Sequence, residues 1–170
     1  QKFVIGRELD RAPRLLIVGA VHISQALAPM AAIAGYAVSI IDSRGSFATE
    51  ARFPDVTLID EWPDEAMDEL DPDRRTAVVT LTHDPKLDDP ALLVALRSPA
   101  FYITALGSRR THAKRVDRLT EAGLSADHLA RLHAPAGLDI GAVSPAEIAV
   151  SIMAEMTAVR HRRPTRMAAD

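Results

Sequence analysis

Four short stretches of the chain gather residue types that handle charge and protons. The first is Gly19-Ala-Val-His-Ile-Ser24, where a glycine, His22 and Ser24 follow a short apolar run. A glycine turn that opens a helix presents free backbone N–H groups to an anion. Asp42 lies 23 residues beyond Gly19, about where a ribose-binding carboxylate belongs. The second stretch, Thr82-His-Asp-Pro-Lys-Leu-Asp-Asp89, crowds His83, Asp84, Lys86, Asp88 and Asp89 together. A His–Asp pair suits ligand or metal contact, although Asp84 before Pro85 is equally an ordinary turn. The third is Gly107-Ser-Arg-Arg-Thr-His112, in which Ser108 can cap a helix. Arg109 and Arg110 then stand at a helix N-terminus, where the dipole disfavours cations. Arginines so placed point to an anion that also meets the free N–H groups. The fourth, His133-Ala-Pro-Ala-Gly-Leu-Asp-Ile-Gly141, mixes turn residues with apolar Leu138 and Ile140. It reads as a buried, rigid loop in which Asp139 holds the turn.

Several chemistries are excluded or disfavoured. The chain has no cysteine, so it offers no thiolate nucleophile, disulfide or iron–sulfur ligand. Ser24 and Ser108 lie outside a G-x-S-x-G setting, which tells against acyl transfer. The histidines lack close ligand spacing, so no metal site is expected, and no catalytic residue is assigned. The net charge of −3 gives no basic field for nucleic acid. No apolar stretch reaches the ~18–20 residues of a membrane span. No signal peptide is visible, and a cytoplasmic location is expected.

Periodicity supplies the elements that position these stretches. Residues 1–13 read as a lead-in. Arg14–Val18 is a buried apolar strand, and His22–Ala34 carries apolar residues at helical spacing, with Pro29 expected to kink or shorten it. Ala37–Asp42 is the next strand, completing one βαβ unit. Further strands are expected at Val56–Ile59, Thr76–Thr82 and Phe101–Leu106. Helices are expected at Pro63–Leu70, Asp89–Leu96, Ser108–Ala122, Ser125–Leu132 and Pro145–Arg160. The last begins with a Ser144/Glu147 capping box and carries the stripe Ile148, Ile152, Met153, Met156 and Val159. Residues 161–170 read as a flexible basic tail. Apolar residues make up 48% of the chain and aromatics only 4%, which suits small helices packed on a parallel sheet. The expected fold is α/β: a Rossmann-like open parallel sheet with helices on both faces, in one domain over 14–160.

Taken together, Leu81–Leu92, Ile103–Arg110 with its Leu-Gly-Ser-Arg-Arg core, Gly137-Leu-Asp-Ile-Gly141 and Pro145–Ser151 resemble the Rossmann domain of the XdhC/CoxI family. Members are accessory proteins in the maturation of molybdenum hydroxylases such as xanthine dehydrogenase and carbon monoxide dehydrogenase. The resemblance implies a non-catalytic chaperone that binds molybdenum cofactor (molybdopterin) and assists its insertion or sulfuration. Its implied partners are an apo molybdenum hydroxylase and a sulfurtransferase. The implied cofactor-binding residues are Gly19, His22, Ser24, Asp42, His83, Asp84, Lys86, Gly107, Ser108, Arg109 and Arg110. Where the family usually reads Gly-Ala-Gly-His-Val-Ala, this chain has Val21 at the second glycine, which tells against NAD(P). The family's usual amino-terminal domain, with its Gly- and Cys-containing motif, has no counterpart here, so the resemblance implies a fragment. Two alternatives stay open: an NAD(P)-binding oxidoreductase built on Asp42, and a docking module or homodimer using the stripe of the last helix.

Overall fold

A computed structural model describes residues 12–162, so most of the lead-in and of the basic tail lies outside the described residues. Six strands form one all-parallel sheet: β1 (Arg14–Val18), β2 (Ala37–Ile41), β3 (Thr57–Ile59), β4 (Thr76–Thr80), β5 (Tyr102–Ala105) and β6 (Leu132–His133). Their spatial order is β3-β2-β1-β4-β5-β6. The chain therefore leaves β1 toward one edge of the sheet and leaves β4 toward the other. The carboxyl ends of these two strands are therefore the switch point of the sheet. The expected Rossmann-like α/β architecture is the one observed.

Strand residues alternate between two cores, as a period of two requires. Leu15, Ile17, Ile40 and Val79 face α1 (His22–Ile33) and α6 (Pro145–Arg160), meeting Leu27, Ala31, Ile152 and Met156. Leu16, Val18, Ile41 and Val78 face the other layer, meeting Met67 of α2 (Pro63–Leu70), Leu92 and Leu96 of α3 (Pro85–Arg97) and Leu119 of α4 (Arg109–Glu121). A single turn of helix, α5 (Ala126–Leu129), leads into β6. Ile152 and Met156 are fully buried, and Ile148, Met153 and Val159 pack against the same core. The stripe of the last helix is thus core, and the docking surface that it suggested is covered by the protein's own α1.

Three expectations change. α3 begins at Pro85, four residues before Asp89, because the Asp84 side chain accepts the Lys86 N–H at 3.0 Å and starts the helix there. Pro90 consequently sits inside the helix. α1 runs through Pro29 to Ile33 without interruption. The expected helix Ser125–Leu132 is only α5, and Leu132–His133 instead pairs with Ile103 and Thr104 as β6. Two residues are too few to show alternation.

The loop from β6 to α6 also differs from expectation. It is not buried: Pro135, Asp139, Ile140 and Gly141 are at least partly open to solvent. What anchors it is backbone. Leu138 N–H donates to Ser151 O at 3.1 Å, and Gly137 N–H donates to Glu155 Oε1 at 3.3 Å. Glu155 Oε1 also accepts the Tyr102 hydroxyl at 2.5 Å. A Cβ on Gly137 would collide with Ser151 Oγ and lie 3.0 Å from the Ser151 carbonyl carbon, at φ +89°. Gly137→Ala therefore combines left-handed strain with overpacking, and stability should fall by about 3 kcal/mol. A urea unfolding curve with an unchanged midpoint would refute this anchoring.

Candidate functional site

The carboxyl edge of the sheet is built from a turn that is already satisfied and a set of loops that are not. At the end of β1, Gly19 has φ +118°, and a Cβ there would stand 2.9 Å from Thr82 Cγ2. Only glycine lets the β1 and β4 loops approach this closely. The N–H groups of this turn are then consumed in order. Gly19 donates to Ile41 O at 2.9 Å, Ala20 to Asp42 Oδ2 at 2.8 Å, and Val21 to Ser24 Oγ at 3.1 Å. The Ser24 hydroxyl in turn donates to Gly19 O. Both Ser24 and Asp42 are buried. Asp42 also accepts the Arg44 backbone N–H and two of its guanidinium nitrogens, at 2.9, 2.9 and 2.7 Å. Burial pushes the Asp42 pKa up, but the bonds from Arg44 and Ala20 outweigh it and hold the carboxyl below its ordinary value. His22 is exposed at the start of α1.

The β4 loop sits beside this turn. His83 is exposed and takes a left-handed φ of +64°. Asp84 caps α3, and Lys86 is exposed on its first turn. The loop is held from below by Asp88, a buried carboxylate absent from the expected site residues. It accepts Thr82 N–H at 3.3 Å, Thr82 Oγ1–H at 2.6 Å and His83 N–H at 3.1 Å. Burial dominates and pushes the Asp88 pKa up to about 6, although the Thr82 bonds and the Arg115 charge pull the other way. Asp84 and Asp88 lie near enough to add to the stabilisation of the Arg44 cation, after Asp42 itself. The β2 and β4 loops therefore share one electrostatic neighbourhood.

After β5, Ser108 caps α4 by accepting Thr111 N–H at 3.1 Å. Arg109 and Arg110 are exposed on its first turn. Leu106, Gly107 and Arg109 form one wall of a cleft of about 430 Å³, and the loop 135–142 with Ile148 and Ser151 forms the other. A cleft of this size, apolar with a few polar groups, is of the kind that holds small ligands. On the other side of Gly107, a cavity of about 80 Å³ is lined by His83, Asp88, Thr111, Lys114, Arg115 and Arg118, among others. His83 and Arg109 thus stand on the same edge, on either side of Gly107. Arg110 lines neither space.

Sequence reasoning missed Arg115, left Asp88 out of the site residues, and read the cleft-lining loop 135–142 as a buried turn. Arg115 carried a readable signal, since it lies four residues before Leu119 on what must be the inner face of α4. The loop stood out by composition, but its place in the cleft depends on β6, which has no readable pattern. Among the described residues, no group of three or more His, Asp or Glu is placed to hold a metal ion. No helix of the described residues is long and apolar enough to cross a membrane.

Fold and site together define a Rossmann-type domain with an open cleft beside Gly107 at the carboxyl edge of its sheet. The XdhC Rossmann domain family matches residues 15–156, and the chain belongs to that family. It is 34% identical over 147 residues to the molybdenum cofactor insertion chaperone PaoD of Escherichia coli (strain K12), covering 86% of this chain and 40% of that protein. It is 32% identical over 157 residues to a probable xanthine dehydrogenase subunit of Bacillus subtilis (strain 168), covering 92% and 46% respectively. Among solved structures, a xanthine dehydrogenase from Bacillus halodurans superposes with a TM-score of 0.76 at 28% identity, covering 92% of this chain and 45% of that one. The chain thus spans less than half the length of these relatives.

The buried carboxyl makes a pH prediction. The Asp88 pKa is raised in the folded protein, so its contribution to stability is full below its ordinary value and is lost as pH rises through about 6. The gap between 3.8 and about 6 corresponds to about 3 kcal/mol. His112 acts in the opposite sense, since burial and Arg115 lower its pKa. Wild type should therefore lose stability relative to Asp88→Asn between pH 4 and 7. Parallel denaturation curves for the two proteins across that range would contradict the assignment.

Proposed function

We propose that this domain binds molybdenum cofactor in the cleft beside Gly107 and assists its transfer to an apo molybdenum hydroxylase, without catalysing a reaction of its own. The observation that carries this reading is the cleft itself. It is an open space of about 430 Å³ between the β5 and β6 loops, with apolar walls from Leu106, Leu138 and Ile148 and one exposed cation, Arg109. The donor set fits such a cofactor. A flat pterin suits apolar walls and backbone polar groups, and its anionic phosphate or nucleotide end suits Arg109 and the N-terminus of α4. Once delivered to its enzyme, the cofactor supplies the redox-active metal. The residues of this chain would bind and shield it. His83 and Lys86, exposed on the neighbouring loop, would border the same ligand. The names of PaoD and of the Bacillus proteins support this reading. A sulfurtransferase partner is part of the same proposal. The persulfide-carrying cysteine would have to come from elsewhere, because this sequence contains none.

An NAD(P) reading draws less support. Val21 stands at the entrance of α1, and the Asp42 carboxylate that would meet a ribose is engaged by Ala20 and Arg44.

Titration of the full chain with molybdenum cofactor released from a molybdoenzyme, followed by fluorescence, should give saturable binding. Arg109→Ala removes a charge-assisted hydrogen bond and should weaken that binding about tenfold. The fold should be unaffected, since Arg109 is exposed. Absence of saturation, or equal affinity in the variant, would overturn the proposal.

A further inference from the structure

The small cavity on the β4 side of Gly107 contains a buried cation whose hydrogen bonds are incomplete. Arg115 is only 2% exposed. Its Nη2 donates to Leu106 O at 2.9 Å, but Nε and Nη1 are buried and have no acceptor. Buried guanidinium groups are otherwise almost always paired, because the desolvated charge is costly when its donors go unmet. The carboxylates nearest to it are committed elsewhere. Asp88 is turned to the Thr82 and His83 donors, and Asp89 accepts both Arg118 nitrogens at 2.7 and 3.3 Å. Burial lowers the Arg115 pKa, and Asp88 and Asp89 offset this only through their charge at a distance. The same lining holds those two carboxylates, Arg118 paired to Asp89, and Lys114, an exposed cation. The cavity of about 80 Å³ is roomy enough for a small polyatomic ion, since a single water needs only about 10–15 Å³ on the same measure.

We propose that this cavity is a binding site for one phosphate-class oxyanion, drawn by the Arg115 guanidinium, whose charge is incompletely met within the protein, with Lys114 beside it. The chemistry has two sources: free inorganic phosphate, or the phosphate end of a ligand whose body lies in the larger cleft. The two spaces are linked through Arg115, which lines the small cavity and donates to the carbonyl of Leu106, a residue of the cleft wall. The site does not depend on the identity of the ligand in that cleft.

Calorimetric titration of the full chain with inorganic phosphate, and separately with glycerol phosphate, tests this. Saturable binding of at least one is expected, and the tighter of the two identifies the source. Arg115→Gln should weaken it about tenfold, the effect of one charge-assisted bond. Lys114→Glu should weaken it severalfold. Lys114 is exposed, so its variant decides the matter if Arg115→Gln does not fold. Failure of both ligands to saturate, or wild-type affinity in Lys114→Glu and Arg115→Gln, overturns the proposal. A water-filled cavity is then the result. Neither titration uses molybdenum cofactor, so this outcome and that of the cofactor titration are independent.

Discussion

The Asp42 carboxylate is the interaction on which the carboxyl edge depends. It is buried at the end of β2, where it collects the Ala20 N–H and three donors from Arg44. A buried charge is tolerated only when it is met by donors in this way. By doing so it fixes the β1 turn against β2, while the absence of a Cβ on Gly19 lets the same turn press on Thr82. Three strands are thereby tied together at one point. The consequence is functional as well as structural. In dinucleotide-binding domains the β1 turn offers its N–H groups to a pyrophosphate. Here Gly19, Ala20 and Val21 have spent theirs within the protein.

The proposed binding site consequently lies across the sheet, among the loops after β5 and β6. Gly107 lines a cleft wide enough for a small organic ligand and packs against Thr111 and Arg115, which line the smaller cavity. α4 serves both sides, because Arg109 on its first turn reaches the cleft and Arg115 on its second reaches the cavity. The far wall of the cleft is held by Gly137 on Ser151 and by the Glu155 carboxylate, which links the loop to Tyr102 of β5.

The parallel sheet was legible because its strands other than β6 are short, largely apolar runs followed by a glycine, a polar turn or a helix cap. Arg14–Val18, Ala37–Ile41 and Thr76–Thr80 are largely buried on both faces and read as such. Ser108 and Ser144 announced their helices through capping chemistry that the structure contains. What escaped was tertiary. The chain around Leu132–His133 gives no pattern, yet its pairing with β5 carries the loop 135–142 over Gly107. Asp88 looked like one more member of an acidic run, and only the fold shows that it is buried beneath the His83 turn. Ser24 and Asp42 were conspicuous by type and position, but their partners are other parts of the same turn. A sequence displays polar groups without showing which of them are already satisfied.

The central claim is that ligand binding has shifted from the β1 turn to the space beside Gly107. A crystal structure of the full chain grown with saturating molybdenum cofactor addresses it most directly. The account predicts ligand density between Gly107, Arg109 and the loop 135–142. Density seated instead on the Gly19–Ser24 turn, with Asp42 released from Arg44, would contradict it.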